Sequence, residues 1–357
     1  MKIDYPRYSE RFGVLTINAL QHVHELDSGN DEYHKTRSIV QLSDNELYKL
    51  YKKLAIVVPI KSERLKIFEG VIRGIPHDCL IIVVSNSSRY PLDRYRLEMD
   101  VLKHHALLTD RDAIIIHQKD NALADTLRAF GYHYMLSEDL ARDGKGEAMI
   151  IGILLAKAMN KEYVGFIDAD NYIPGAVNEY VKIYASAMAI SDSPYTMARI
   201  AWKYKSKINE RYFAKWGRVS EYTNKYLNML ISSITGFGTD IVKTGNSGEH
   251  VMSMKLAEIM SFSSQYSIEP YELVYLIEEF GGLYESEYKD AINEGINIMQ
   301  IESINPHIHE DKGLTHINEM LSSSLASIYF SKISTEPIKK SIIDELKKLK
   351  IIKSAND

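Results

Sequence analysis

Asp168 and Asp170, in the run Gly165-Phe-Ile-Asp-Ala-Asp-Asn171, are the side chains best placed to do chemistry. An apolar, strand-like stretch ends there, and two carboxylates follow at spacing i, i+2. In extended backbone that spacing puts both on one side. Left alone they repel. A divalent cation held between them and a diphosphate removes the repulsion and screens the phosphates. A lone Asp-x-Asp is more often a solvated turn, so the weight comes from its place after a buried strand.

Four further segments are candidates. In Asp143-Gly144-Lys145-Gly146-Glu147, glycines flank a lysine at a helix start, so backbone and ammonium can both approach a phosphate. It is no Walker loop, because the spacing differs and no Ser or Thr follows the lysine. Thr244-Gly245-Asn246-Ser247-Gly248-Glu249 precedes a stretch read as helix, His250–Met260, and suggests a nest of N–H groups for an anion. The alternative is a loop with a helix cap. His307 and His309, at i, i+2, share a face and either can complete a metal site begun by Asp170. Pro59-Ile-Lys-Ser-Glu63 and Ser85-Asn86-Ser87 leave the first two strands; turn and nucleoside contact are equally good readings of each. Trp202, Tyr212 and Trp216 read as packing residues.

The elements that must position these residues follow from periodicity. Leu54–Ile60, Cys79–Ser85, Ala113–His117 and Tyr163–Asp168 read as buried strands. Helical patterns at 62–74, 93–106, 120–130, 145–160 and 176–191 alternate with them. Strands apolar on both faces between helices mean a mostly parallel α/β sheet. In such sheets ligands bind beyond the carboxyl ends of the strands, so the loops after 60, 85 and 168 should converge. The expected organisation is an N-terminal extension (1–53), a Rossmann-like nucleotide-sugar half (54–191), a more helical acceptor half completing the metal site (192–330) and a helical tail (331–357).

The 357 residues carry a net charge of −5, which gives no support for a nucleic-acid partner. No apolar run is long enough to span a bilayer, and the N-terminus lacks a signal core. The single cysteine, Cys79, forbids an internal disulfide and points to a reduced, cytoplasmic setting. There is no Gly-x-Gly-x-x-Gly after the first strand and no Gly-x-Ser-x-Gly elbow. An aspartyl-phosphatase reading fails because Asn-Tyr follows Asp170.

Taken in order, VVPIKSERLKIFEG, DGKGEAM, GFIDADNYIPGAV, TGNSGEH and NPHIHEDKG resemble the mannosyl-3-phosphoglycerate synthases, from about His24 to Lys312. The resemblance implies a GT-A fold, GDP-mannose as donor, 3-phospho-D-glycerate as acceptor, retention of configuration, and a product that leads to the compatible solute mannosylglycerate. It implies donor contacts from Pro59, Glu63, Ser85, Asn86, Lys145, Asp168 and Ala169. Asp170 would bind Mg²⁺, or Mn²⁺ or Co²⁺, with His309 preferred over His307. Thr244 to Glu249 would hold the acceptor. Tyr266-Ser-Ile-Glu269 resembles a segment near the reacting centre of related glucosyl-3-phosphoglycerate synthases, which adds Glu269 to the catalytic set of Lys145, Asp168 and Asp170.

Glucosyl transfer to the same acceptor, sugar-nucleotide synthesis and a non-catalytic nucleotide-sugar sensor remain rivals, and a homodimer stays open. A nucleotidyltransferase should carry a Gly-rich, Arg-containing loop after the first strand; Pro59-Ile-Lys-Ser is not one.

Overall fold

Residues 54 to 60 and 80 to 85 are nearly all β-branched or aliphatic, and the structure shows why both faces of those strands are apolar. Ala55, Val57, Ile82 and Val84 belong to one buried core, whereas Ile56, Val58, Ile81 and Val83 belong to a second core on the opposite face. A computed structural model describes the chain except residues 28, 30–33, 37, 203–204, 208–217, 310–311 and 354–357.

In chain order the N-terminal strands are β1 (Lys2–Asp4), β2 (Ser9–Phe12), β3 (Leu15–Asn18), β4 (Gln21–Glu25), β5 (His34–Lys35) and β6 (Ile39–Gln41), followed by helix α1 (Asp44–Tyr51). The α/β alternation then runs β7 (Leu54–Ile60), α2 (Leu65–Gly74), β8 (Leu80–Ser85), α3 (Arg94–Thr109), β9 (Ala113–His117) and α4 (Asn121–Ala129). After a small hairpin of β10 (Leu136–Ser137) and β11 (Leu140–Ala141) come α5 (Lys145–Ala158), β12 (Tyr163–Phe166) and α6 (Pro174–Ile190). The remainder comprises β13 (Tyr195–Trp202), β14 (Lys205–Lys207), α7 (Arg218–Thr235), β15 (His250–Ser253), α8 (Met254–Ile259), α9 (Ile268–Phe280), α10 (Lys289–Glu294), β16 (Ile296–Ser303), β17 (His307–His309), α11 (Gly313–Tyr329) and α12 (Glu336–Lys348).

Eleven of these strands form one path, β5-β6-β1-β4-β16-β13-β15-β12-β7-β8-β9, with β2 and β3 attached beside β16. The pairs β12–β7, β7–β8 and β8–β9 are parallel, and β15 runs against both neighbours. One face carries α5, α7, α9, α11 and α12; the other carries α1, α2 and α6. On α2, Phe68, Val71 and Ile72 are fully buried. Each such side chain contributes about 1.5–3 kcal/mol.

Two segments differ from expectation. Residues 1–53 supply strands to the main sheet, and the Met1 ammonium donates to Leu42 O at 2.6 Å. His250 does not open a helix: residues 250–253 are strand, and the helix starts at Met254. His250, Val251 and Met252 pair with Phe166, Gly165 and Val164, and that ladder overrides the local helical spacing.

Candidate functional site

Lys145 opens α5, whose N-terminal residues follow Gly144 without a side-chain cap. Its Nζ lies 2.6 Å from Asp168 Oδ1 and 2.8 Å from Glu269 Oε1. Burial works against its charge, but the two carboxylates outweigh that and hold the ammonium well above the usual lysine value. Glycines allow close approach on two sides. A Cβ on Gly144 would strike the Glu147 carboxylate; one on Gly248 would sit 2.8 Å from Asp168 Oδ2 and 2.9 Å from Lys145 Nζ. Gly248 thus brings the Thr244–Glu249 loop against the Lys145–Asp168 pair.

β12 ends at Phe166, so Asp168, Ala169 and Asp170 lie in the loop beyond it. The two carboxylates have different partners. Asp170 Oδ2 is 3.0 Å from Lys312 Nζ, and that ammonium is also 3.5 Å from Glu63 Oε1. Burial opposes the Lys312 charge, yet Asp170 and Glu63 push its pKa up. The Tyr172 amide donates to Ile308 O at 3.0 Å, which fastens this loop to β17. His307 is buried, tilted on Trp202 at 4.6 Å, with the Tyr180 hydroxyl 3.4 Å from its Nδ1. His309, with its ring 5.3 Å from that of His307, is half-buried. Among the described residues no three metal-ligating side chains are gathered. Any ion here must therefore draw most of its ligands from a diphosphate and water, as Mg²⁺ commonly does. One carboxylate and one imidazole fit that role.

The Thr244–Glu249 loop is buried throughout. Arg199 on β13, fully buried, donates to Thr244 O (3.0 Å), Glu269 O (2.9 Å) and Glu272 Oε2 (2.7 Å). Glu272 Oε1 faces His250 Nε2 at 3.1 Å. Burial raises the Glu272 pKa, but His250 and Arg199 outweigh that and leave it lowered. Two of the amides in this loop are already engaged within the fold. The Gly245 amide donates to Asn224 Oδ1 and that of Ser247 to Thr244 O. Two of its side chains are held as well: Asn246 donates through Nδ2 to Ser324 Oγ at 2.7 Å, and Glu249 accepts from Asn171 Nδ2 at 3.0 Å.

On the other flank, Pro59 is half-buried at the end of β7, and Glu63 Oε2 accepts from the Lys61 amide at 2.6 Å. The Ser85 hydroxyl is committed to Glu98, which it meets at 2.6 Å, so Ser85 shapes the strand end. Burial raises the Glu98 pKa despite bonds from Ser85 and Ser87. The Asn86 amide N–H donates back to Ile60 O at 2.8 Å. Trp202 packs as expected, while Tyr212, Trp216 and Glu310 lie outside the described residues.

Sequence reasoning passed over Lys312 and Arg199. A single lysine after a loop carries no signal, but an arginine inside the apolar strand YTMARIAW does, because burying it demands an anion.

A family model described as mannosyl-3-phosphoglycerate synthase matches residues 5–357. The chain belongs to the mannosyl-3-phosphoglycerate synthase family. A mannosyl-3-phosphoglycerate synthase of Pyrococcus furiosus is 50% identical over all of this chain and 91% of its own length. One of Aeropyrum pernix is 37% identical over 98% of this chain and 90% of its own. The members are glycosyltransferases, and the fold agrees. Glucosyl-3-phosphoglycerate synthase of Mycobacterium tuberculosis, solved with Mn²⁺, UDP-glucose and phosphoglyceric acid, superposes with a TM-score of 0.54. It is 18% identical and matches 83% of this chain and 84% of its own, which establishes the shared GT-A architecture. No helix among the described residues of this mannosyl-3-phosphoglycerate synthase family member is long and apolar enough to cross a membrane.

Proposed function

We propose that the protein transfers mannose from GDP-mannose to 3-phospho-D-glycerate with retention of configuration, yielding a precursor of mannosylglycerate. One observation carries the reading: Gly248 packs the acceptor loop against the ion pair of Lys145 with Asp168. Donor and acceptor sites therefore share a wall. The names of the relatives supply the product, and the Mycobacterium complex, with its Mn²⁺ and phosphoglyceric acid, supports the same substrate kinds.

As diphosphate departs, negative charge grows on its β-phosphate and positive charge on the sugar. Lys145, held cationic at the N-terminus of α5, stabilises the first, and being already fixed by two carboxylates it needs little reorganisation. Asp168 and Glu269 lie beside it, where a cationic sugar is stabilised. Asp170 and His309 would hold a divalent cation, which supplies Lewis-acid stabilisation of the leaving diphosphate. Lys312 neutralises Asp170 otherwise. Asp168 is already paired with Lys145, which disfavours it as a covalent nucleophile. Attack from the face the diphosphate leaves, with that phosphate taking the acceptor proton, accounts for retention. Thr244 to Glu249 are assigned to the acceptor; Pro59, Glu63, Ser85, Asn86 and Ala169 to the donor side.

Incubation with GDP-mannose, 3-phosphoglycerate and Mg²⁺ should release GDP and a phosphorylated mannoside, with no turnover in excess chelator. Transfer from UDP-glucose in preference to GDP-mannose would refute the donor assignment, and tight GDP-mannose binding without product would refute catalysis.

A further inference from the structure

We propose, on the GDP-mannose reading above, that Asp143, with Asn86 and Lys119, forms a clamp that reads the guanine base. Asn86 follows β8, Lys119 follows β9, and Asp143 stands two residues before Lys145. Asn86 and Lys119 therefore lie at the carboxyl ends of parallel strands, where nucleotides bind in such sheets, and Asp143, before α5, is brought to them by its ion pair with Lys119. The strand order β12-β7-β8-β9 puts them two to three strands from the Asp168–Asp170 loop, about 10–14 Å. With the diphosphate at Lys145, the base falls on this side.

Asp143 is firmly placed. Gln118, fully buried, donates through Nε2 to Arg142 O and, at 3.4 Å, to Gly144 O, so it grips the backbone on both sides. Lys119 Nζ bridges Ala141 O at 2.6 Å and Asp143 Oδ1 at 3.1 Å, and Asn86 lies close enough to the same carboxylate to favour its charge. Burial alone would raise the Asp143 pKa, but Asn86 and Lys119 hold it below the usual range, so the group is ionised. Even so, the Asp143 side chain is 62% exposed. A carboxylate offers about four lone-pair sites. Lys119 meets Oδ1, and with the side chain this exposed the remaining lone pairs are open to a ligand. Guanine carries adjacent N1–H and N2–H donors that match such a pair. Uracil offers one N–H between two carbonyls, which a carboxylate repels. The arrangement thus selects a guanosine diphosphate sugar over a uridine one.

Calorimetric titration of the wild type and Asp143→Asn with GDP, IDP, XDP and UDP tests this. IDP lacks the N2 amine, and XDP has a carbonyl there. Wild type should bind GDP over IDP by about 10- to 100-fold, the worth of one hydrogen bond to a charged group. In Asp143→Asn that ratio should fall within about threefold, and XDP should gain about tenfold as the amide donates to its carbonyl. Asp143→Ala should lose the ratio without the XDP gain. A wild-type GDP:IDP ratio near one overturns the clamp, as does a variant that keeps the wild-type ratio. Wild type binding UDP more tightly than GDP would mean the donor reading itself had failed. Wild type preferring GDP while both variants keep discrimination against IDP would mean the clamp alone had failed.

Discussion

Replacing Arg199 by methionine removes a cation from a fully buried site. Arg199 and Glu272 both have fully buried side chains, and their ion pair is 2.7 Å long. The guanidinium also satisfies Thr244 O and Glu269 O, on the Thr244–Glu249 loop and on the segment that carries the Lys145 partner. Breaking a buried pair from one side costs about 3–5 kcal/mol, because the remaining charge keeps its desolvation penalty. His250 still faces Glu272, so the low end of that range is expected. Urea unfolding monitored by circular dichroism reads the loss as a lower midpoint at unchanged slope. The double variant Arg199→Met with Glu272→Met should recover part of the loss, since no charge is then stranded. The Glu272 pKa is lowered in the fold, so its contribution is full above the ordinary value of 4.5 and fades as the pH falls through the lower folded value. The gap between wild type and Arg199→Met should therefore narrow in acid. A single-variant loss below about 1 kcal/mol, or a gap that widens in acid, would refute a buried ion pair as the support of this loop.

Asp170→Ala should lower kcat by at least about 10²-fold even at saturating Mg²⁺; near-normal turnover would remove Asp170 from the metal site. Gly248→Ala places a methyl 2.8 Å from Asp168 Oδ2, and kcat should drop by about 10²-fold with circular dichroism unchanged. Full activity there would separate the loop from the reacting centre. Lys312→Met removes the ammonium that competes for Asp170, so Mn²⁺ binding to the free protein, read by electron paramagnetic resonance, should tighten up to about fivefold, as suits a pair whose lysine is partly exposed. Unchanged or weaker binding would contradict that competition.

The strands β7, β8, β9 and β12 were legible because each is apolar on both faces, a pattern that only a sheet covered on both sides explains. The N-terminal strands were not. They run two to five residues, and β4, Gln-His-Val-His-Glu, alternates buried and exposed positions over too short a span to stand out. The misreading at His250 has a different origin: Val251, Met254, Ala257 and Met260 recur at helical spacing, and only pairing with β12 and β13 decides for strand. Asp168, Lys145 and Glu269 were named in advance and do meet, whereas the partner of Asp170 was not foreseeable. Lys312 arrives from a loop whose path depends on tertiary contacts, above all the Tyr172–Ile308 bond.

The reversed strand β15 joins β12 on one edge and β13 on the other by main-chain ladders. The strands on either side of β15 are consequently stitched into a continuous fabric, which opposes their swinging apart as two jaws. Shielding of the reacting sugar from water must then fall to individual loops, and a covalent tether laid across that seam should leave turnover intact.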